Sequence, residues 1–550
     1  MEGNVRILIV TEKANPPASL RDGGNRLVRT LRQHLEADIL QFGPGGLEYP
    51  HHRDCRFERR LANASFVRAE VERRSVNYDI IVFVHVSMAF GYQSSSDIYA
   101  VVFPMFLTPS YIASGEEVPA NYANAEKQAL AAANLIITPS FLECRQLEAT
   151  YAIPRARIRV LPRGINVPEL QTRKMPIPHR PVRCVSVGSI KPQKGTLRLI
   201  ELFARIRERC DAHLSLIGPV QDQRYARTVR AKIRAMGLQR DVTFLGHVSP
   251  DHLGTELAGT TLHLSATWCE TFGRAIFETL ASGIPNVTFR EGNAAAEYLA
   301  DQDGIRFVAS NDEFVDAALD TIRMPERQYF PTIRDVFDDA YLGKLLAAEV
   351  MGQCSPIAVV SDFDGTLLHK CDSERTLRSV ETFNRFGLRV ICSARPIDDL
   401  ADAVKTLGLH ADYLIGLSGA ELADGSGRLI KENGLPPEIC ARLSERFPLG
   451  RWVQPRSLPL QMRIDWPPEL PEPGTRAENY GSDWFISHRS TNKLSATVQL
   501  LRSEVGWAGR VRAFGDGPSD TDFLTFFDGT LVGSKVVHPH LRTATEISHD

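Results

Sequence analysis

The sequence has no pair of cysteines in C-x-x-C spacing; its nine cysteines stand singly, an odd number, in a chain of 550 residues. That argues against a disulfide framework and against a cysteine zinc site, and it suits the reducing cytoplasm, where we expect the protein to work. Net charge is also missing, with 64 basic against 66 acidic residues and a formal charge of -2. A chain this balanced has no global electrostatic reason to hold nucleic acid or anionic lipid. Long apolar runs are absent as well. The most apolar stretch, Asp79 to Met88, is about ten residues long, where a bilayer span needs about twenty. We therefore expect no transmembrane segment, and the short apolar run near Met1, with no cleavage pattern after it, does not read as a signal peptide. No internal repeat of about 20 to 50 residues and no low-complexity tract is present. Charge is uneven in one place, where Arg53, Arg56, Arg59, Arg60, Arg68, Arg73 and Arg74 crowd together. A solvated helix face is one reading of that segment, and weak peripheral contact with anionic lipid is the other.

What is present is ordinary in bulk: 43% apolar and 24% charged residues suit a soluble globular chain. At roughly 150 residues per domain, the length predicts three to four folding units. Three apolar runs each open a stretch of alternating β and α character. Val5 to Val10 leads through the glycine pair Gly23-Gly24 to a helical segment from Asn25 to Leu35. Val182 to Val187 is followed by Gly188-Ser189-Ile190-Lys191-Pro192-Gln193-Lys194-Gly195 and a helix to about Arg209. Ile357 to Ser361 runs straight into Asp362-Phe363-Asp364-Gly365-Thr366. Strand, tight glycine turn and helix form the entry unit of parallel α/β sheets, which bind ligands beyond the carboxyl ends of their strands. The basic, proline-bearing stretch Leu170 to Pro181 reads as a linker, and a second joint falls near Met351 to Pro356. The predicted fold class is α/β, with two Rossmann-like lobes followed by a third α/β domain.

The third domain is the most informative. Asp362 and Asp364 stand close together at the end of a buried strand, and adjacent buried acids are costly unless a cation or a reaction uses them. Ser393 follows within Cys392-Ser393-Ala394-Arg395, then Lys493, then Gly515-Asp516-Gly517-Pro518-Ser519-Asp520. Acid pair, hydroxyl, lysine and second acid pair, in that order across 355–550, resemble the four motifs of the haloacid dehalogenase (HAD) phosphohydrolases. The resemblance implies that Asp362 is the nucleophile, forming an aspartyl phosphate, and that Asp364 is the general acid and then the base for water. It implies that Ser393 and Lys493 hold phosphoryl oxygens, and that Asp516 and Asp520, with Asp362 and the Asp364 carbonyl, bind Mg²⁺. There are two departures: the second motif reads S-A-R where relatives often have T-G-R, and Ser519 replaces a common Asn. The long interval between Ser393 and Lys493 implies an inserted α+β cap at 398–490. A cap in that place resembles the Cof-like branch, which contains sucrose-phosphate and trehalose-phosphate phosphatases. Ser418-Gly419-Ala420 is similar to that branch's N-G-A signature, with Ser418 in the Asn place. Such caps contact the leaving group; Arg463, Trp466, Trp484 and His488 either meet a sugar there or serve the core and surface.

In the middle of the chain, Glu270-Thr271-Phe272-Gly273 leads to Glu278 and then Leu280-Ala281-Ser282-Gly283-Ile284-Pro285. Glutamates at this separation do not share one salt-bridge face of a helix. A loop-end Glu270 and a helical Glu278 can meet different parts of one extended ligand, although spacing alone also admits a capping Glu and a solvated one. Together with Arg163-Gly164-Ile165, Lys191, Lys194-Gly195, Ile217-Gly218 and Leu245-Gly246, the pattern resembles the donor site of retaining family-4 glycosyltransferases of the GT-B fold, across about 5–350. The resemblance implies that Glu278 accepts hydrogen bonds from a nucleotide ribose and that Glu270 contacts hydroxyls of the transferred sugar. Backbone N–H groups around Phe272 and Gly273 would approach the diphosphate, which Lys191 and Lys194 neutralise as it departs. Relatives commonly have Arg where Lys191 stands, so this contact is a point charge and not a fork. Gly23-Gly24 is either the family's N-terminal glycine loop or an ordinary turn. His85 either faces the reacting sugar or is a satisfied core histidine.

Together the resemblances imply a bifunctional enzyme. It would transfer a sugar from a nucleotide-sugar to a small, phosphorylated acceptor, then remove that phosphate with Mg²⁺. The alternatives are a plain glycosyltransferase with a regulatory HAD domain, two activities on unrelated substrates, and glycosylation of a lipid carrier. The expected division is an acceptor lobe at 1–168, a nucleotide-sugar lobe at 169–330, a crossover helix and linker at 331–354, a HAD core at 355–397 plus 491–550, and the cap between.

Overall fold

The computed structural model describes residues 5–12, 23–43, 45–53, 55–167, 181–300, 302–323, 331–456, 458–465, 467–468, 472, 474–480, 482–533 and 540–548. The chain forms two compact units, Met1–Val350 and Met351–Asp550.

The first unit contains two all-parallel sheets. One comprises β1 (Ile7–Thr11), β2 (Ala37–Gln41), β3 (Ile80–Val84), β4 (Tyr99–Phe103), β5 (Leu135–Thr138) and β6 (Ile158–Val160), in the order β2-β1-β3-β4-β5-β6. β1 and β3 are buried along their whole length. Inner strands of a parallel sheet are covered on both faces, so they read as unbroken apolar runs. The other sheet comprises β7 (Val182–Val187), β8 (Ala212–Ile217), β9 (Val242–Gly246), β10 (Leu262–Ser265), β11 (Asn286–Phe289) and β12 (Ile305–Val308), in the order β12-β11-β10-β7-β8-β9. Strand order reverses between β1 and β3 and again between β7 and β10, and ligands of open parallel sheets bind at such reversals. His85 follows β3, the two lysines follow β7, and Glu270 follows β10. Gly195, at φ 60°, lies so close to the Ala266 carbonyl that a Cβ has no room, and this lets the lysine loop pack against the segment after β10.

The helix Asp339–Met351 returns to the first lobe. Ile165 N–H donates to the Phe337 carbonyl at 2.8 Å, and Arg159 pairs with Glu349 at 3.2 Å. A separate short helix, Pro331–Val336, precedes it. Most of the predicted linker, and the loop before Gly23, lie outside the described residues.

The second unit contains β13 (Ile357–Asp362), β14 (Leu388–Cys392), β15 (Tyr413–Gly416), β16 (Glu421–Asp424), β17 (Leu429–Glu432), β18 (Arg451–Val453), β19 (Gln461–Ile464), β20 (Thr475–Tyr480), β21 (Asp483–His488), β22 (Arg510–Gly515), β23 (Thr530–Val532) and β24 (Arg542–Ala544). The core sheet runs β17-β16-β15-β14-β13-β22-β23-β24, and β18-β19-β21-β20 make a small antiparallel sheet. The cap starts later than the sequence predicts. Residues 398–432 extend the core sheet, because Leu400, Val404, Leu409, Leu414 and Ala423 pack into one cluster with Val359, Phe363 and Ile391. The separate cap opens with the helix Pro437–Arg446, whose Ile439 and Leu443 pack with Phe447, Met462, Ile464 and Ile486.

Candidate active sites

In the second unit, Asp362 ends β13, Ser393 follows β14 and Asp516 follows β22, so three adjacent strands deliver them side by side. Lys493 arrives separately, as the first residue of the helix Lys493–Gln499, which a capping box between Asn492 and Ser495 starts. A cation at a helix N-terminus opposes the helix dipole by about 0.3–1 kcal/mol. Two carboxylates offset that cost: Lys493 Nζ donates to Asp362 Oδ1 at 2.7 Å and to Asp520 Oδ1 at 2.6 Å, and all three side chains are buried. The second oxygen of Asp520 accepts from the N–H groups of Asp516 and Gly517 at 3.0 and 3.1 Å, which closes the loop. Gly365, at φ 89°, faces the Asp516 carboxylate with no space for a Cβ, hence the glycine in the first motif.

Carboxylate oxygens of Asp362, Asp516 and Asp520 lie within 4.8 Å of one another. Burial, with the charges of Asp520 and Asp516 acting against Lys493, lifts the Asp362 carboxyl above the usual range. Burial and Asp520 do the same to Asp516. One ammonium is too little positive charge for three acids, and a hard divalent cation on an oxygen-only donor set supplies the remainder. The residues present therefore fit Mg²⁺.

Asp364 stands apart from this cluster. Its carboxylate accepts two hydrogen bonds from Arg395, at 2.7 and 2.6 Å, while the metal role that the resemblance implies belongs to its main-chain carbonyl. Arg395 belongs to the second motif, but the sequence reading gives it no role. Ser393 is buried, and its Oγ accepts from the Arg395 N–H at 3.2 Å, which keeps its own O–H for donation. The Ser393 carbonyl accepts from the Ser418 N–H at 2.9 Å, and Ser418 Oγ lies 2.7 Å from the Tyr480 hydroxyl on cap strand β20. Among the cap residues expected near a sugar, Arg463 pairs with Asp483 at 2.7 Å, Trp484 packs on the cap core and His488 bonds to Ser490. Trp466 lies outside the described residues.

In the first unit, Glu270 is held beyond β10 by its N–H, which donates to the Gly292 carbonyl at 2.8 Å, and its carboxylate pairs with Lys194. Burial opposes its ionisation, but Lys194 and then Lys191 outweigh burial and hold the carboxyl below its ordinary range. Gly273, at φ 88°, opens the helix Arg274–Ala281, and no side chain caps that helix. Its first N–H groups are the kind that anions engage. The Phe272 ring stacks on Phe277 with centroids 4.5 Å apart, so Phe272 is a core aromatic and offers a ligand its backbone only.

Glu278 Oε1 accepts from Arg26 Nη1 at 2.8 Å, and Arg26 Nε lies 3.4 Å from Asp339. Arg26 belongs to the helix Gly23–His34, so a first-lobe side chain holds the second-lobe glutamate expected to meet ribose. Gly23 and Gly24 are the first residues of that helix. The sequence reading does not find Arg26; its place just after the glycine pair was the one available signal. His85 is buried at φ 87°, and its Nδ1 accepts from the Ser87 N–H at 3.1 Å. A positive φ in a non-glycine residue at a strand-order reversal is local strain. In the arginine-rich segment, Arg60 turns inward to Glu12 at 3.0 Å and Arg56 to Glu116, while Arg68 pairs with Glu72 and Arg73 with Glu70. These charges are committed to acids within the unit.

Residues 21–168 match the family model Glycosyltransferase Family 4, residues 181–324 match Glycosyl transferases group 1, and residues 359–448 match haloacid dehalogenase-like hydrolase. The chain thus joins glycosyltransferase domains of the GT-B group 1/family 4 type to a C-terminal, Cof-like HAD hydrolase domain. Among curated proteins it is similar to D-inositol 3-phosphate glycosyltransferase of Acidothermus cellulolyticus, 26% identical over 188 residues, which are 32% of this chain and 42% of that protein. It is also similar to the GDP-Man:Man(3)GlcNAc(2)-PP-Dol alpha-1,2-mannosyltransferase of Mus musculus, 26% identical over 140 residues, 24% of this chain and 28% of that protein. The match thus spans less than half the length of either relative. Among solved structures, WaaG, a glycosyltransferase involved in lipopolysaccharide biosynthesis, is 17% identical with a TM-score of 0.49, covering 63% of this chain and 100% of that one. Sucrose-phosphate synthase from Thermosynechococcus elongatus is 17% identical with a TM-score of 0.49, covering 63% and 94%. Among the described residues, no helix is long and apolar enough to cross a membrane.

Proposed function

We propose that the first unit transfers a sugar, with retention, from a nucleotide-sugar to a small phosphorylated acceptor, and that the second unit removes the phosphate from the product. The observation that carries this reading is the presence of two charge constellations in one chain: Glu270 and Glu278 with their cations, and Asp362, Asp516 and Asp520 around Lys493.

In the transfer, Glu278 exchanges Arg26 for the ribose hydroxyls and Glu270 orients the sugar. Lys194 and Lys191 swing to the departing diphosphate, where their charge is worth most as negative charge develops. The acceptor oxygen attacks from the face the diphosphate leaves, and a diphosphate oxygen takes its proton. In the second step the Asp362 carboxylate attacks phosphorus, and the glycoside oxygen leaves with a proton from Asp364, which Arg395 first releases. Asp364 then takes a proton from the water that attacks the acyl phosphate, giving inorganic phosphate and free Asp362. Ser393 and Lys493 hold the phosphoryl oxygens. Asp362, Asp516, Asp520 and the Asp364 carbonyl would hold Mg²⁺, which when bound would supply positive charge beside the anionic nucleophile and ester. Hydrolysis draws a reversible transfer forward, which is a thermodynamic reason to keep both steps in one chain.

The test compares wild type with Asp362→Asn, each given mixed sugar nucleotides, Mg²⁺ and a small-molecule extract of the source cells. Mass spectrometry should find a phosphorylated glycoside with the variant and its dephosphorylated form with wild type. Identical products from both proteins would mean two separate activities and would sink the coupled reading.

A further inference from the structure

Just after β15 the chain places three residues in succession in the left-handed region: Leu417 at φ 45°, Ser418 at 54° and Gly419 at 108°. Only the last is a glycine, which takes such angles freely. Leucine and serine do not, and strained backbone of this kind persists only where its surroundings hold it. The core holds the turn from one side. The Leu417 N–H donates to the Arg395 carbonyl at 2.9 Å, and the Ser418 N–H donates to the Ser393 carbonyl at 2.9 Å. Gly419 lies so close to the Asn492 carbonyl that a Cβ would stand 2.5 Å from it, and Asn492 caps the helix that Lys493 begins. The turn thus bears on the main chain at Ser393 and Arg395 and beside Lys493.

The cap holds the same turn from the other side. Gln461, on β19, is buried, and its Nε2 donates to the Leu417 carbonyl at 3.1 Å. Its neighbour Leu460 packs with Leu417 and Ala420 in one apolar cluster. The Tyr480 hydroxyl lies 2.7 Å from Ser418 Oγ. The Leu417 carbonyl and the Ser418 N–H belong to one peptide group, which is planar and rotates as a unit. Gln461 therefore grips one end of the peptide whose other end grips the Ser393 carbonyl. Without that grip, the strained peptide is free to rotate, and its hydrogen bond to Ser393 goes with it. We propose that Gln461 is a positioning residue of the phosphatase: through this peptide it sets Ser393, and through the seated turn Lys493, for phosphoryl transfer. The proposal rests on the phosphatase reading above and adds a cap residue that acts on the reacting groups through the backbone.

The experiment uses the full chain with Mg²⁺, para-nitrophenyl phosphate and glucose 6-phosphate as substrates, and orthovanadate as an inhibitor that mimics the phosphoryl group in transfer. Gln461→Met keeps the volume and loses the donor. It should lower kcat at least about 10-fold, by the same factor on each ester that wild type hydrolyses, with KM within about 2-fold. The inhibition constant for orthovanadate should rise by a similar factor, because a transition-state mimic feels the same misplacement. Adding Ser418→Gly, which relieves the strain in the turn, should raise kcat of Gln461→Met about 3-fold or more. A merely structural bond would leave fewer active molecules, and so a lower apparent kcat, with the orthovanadate constant unchanged and no recovery in the double variant; that result overturns the proposal. So does an unchanged kcat, and so does a loss confined to glucose 6-phosphate, which would mean that Gln461 meets the leaving group. If wild type hydrolyses neither ester and binds no orthovanadate, the phosphatase reading itself falls, and the positioning role with it.

Discussion

The two candidate sites gather the same kinds of charge in opposite ways. Around Lys493, Asp362 at the end of β13 and Asp520 in the turn after β22 are buried with their shared cation. In the glycosyltransferase unit the glutamates are partly exposed, and their cations come from a loop of the same lobe (Lys194) and a helix of the other (Arg26). Buried pairs without water cannot change partners cheaply, whereas pairs that keep some solvent can. The first arrangement suits a nucleophile that must be held still. The second suits a site whose ion pairs give way to a ligand and re-form afterwards.

The hardest way to break this comparison is Asp362→Asn. Phosphatase turnover should fall at least about 1,000-fold, because an amide is a poor nucleophile, while sugar transfer stays at the wild-type rate. Loss of transfer as well would show that the sites do not act separately. Next comes a matched pair of lysine variants followed by urea unfolding. Lys493→Met strands two buried carboxylates and should destabilise the second unit by about 3–5 kcal/mol, part of which Mg²⁺ restores. Lys194→Met, whose pair is 26% and 18% exposed, should move the stability of the first unit by less than about 1 kcal/mol. Equal losses would mean that the partly exposed pair is as structural as the other.

The same contrast explains what the sequence makes legible. Asp362, Ser393 and Asp516 are local: each sits just beyond an apolar run, and a strand end in a parallel sheet is where side chains meet ligands. Lys493 is legible through its motif. Arg26, Arg395 and Tyr480 reach partners far along the chain, Glu278, Asp364 and Ser418, and nothing local in a helix or strand pattern shows which acid or hydroxyl it will meet. The cap boundary failed for a related reason. The helix Ile397–Thr406 has an apolar stripe that suits core or cap equally, and only its packing with Leu414 and Val359 assigns it to the core.

A buried acid without a lysine sharpens the comparison further. Glu143 is buried beside Thr138, which donates to it, and burial pushes its carboxyl up to about 7 against that hydrogen bond and the charge of Arg163. Below about pH 4.3 the folded and unfolded chains both carry this proton. Between there and about 7 the unfolded chain has released it and the folded chain has not. Folding stability therefore falls as pH rises, by about 1.4 kcal/mol per unit at most, and the loss ends above the folded value. Glu143→Gln should match wild type near pH 4 and be more stable by about 3–4 kcal/mol at pH 8, read from the urea midpoint of the first unit. A wild-type profile that rises across this range would mean that Arg163 ionises Glu143 in the folded chain.

The smallest expected effect tests whether the partly exposed pairs do exchange partners. If ribose must displace Arg26 from Glu278, donor binding bears the cost of breaking a partly exposed ion pair, about 1 kcal/mol. Arg26→Ala removes that cost, so the donor KM should fall about 3–5-fold, while Glu278→Gln raises it. Arg26→Lys, which keeps the charge but loses the fork to Glu278 and Asp339, should fall between wild type and Ala. The decisive quantity is the sign. A rise in donor KM for Arg26→Ala would make Arg26 a ligand of the donor, and the first lobe would then bind the nucleotide-sugar itself.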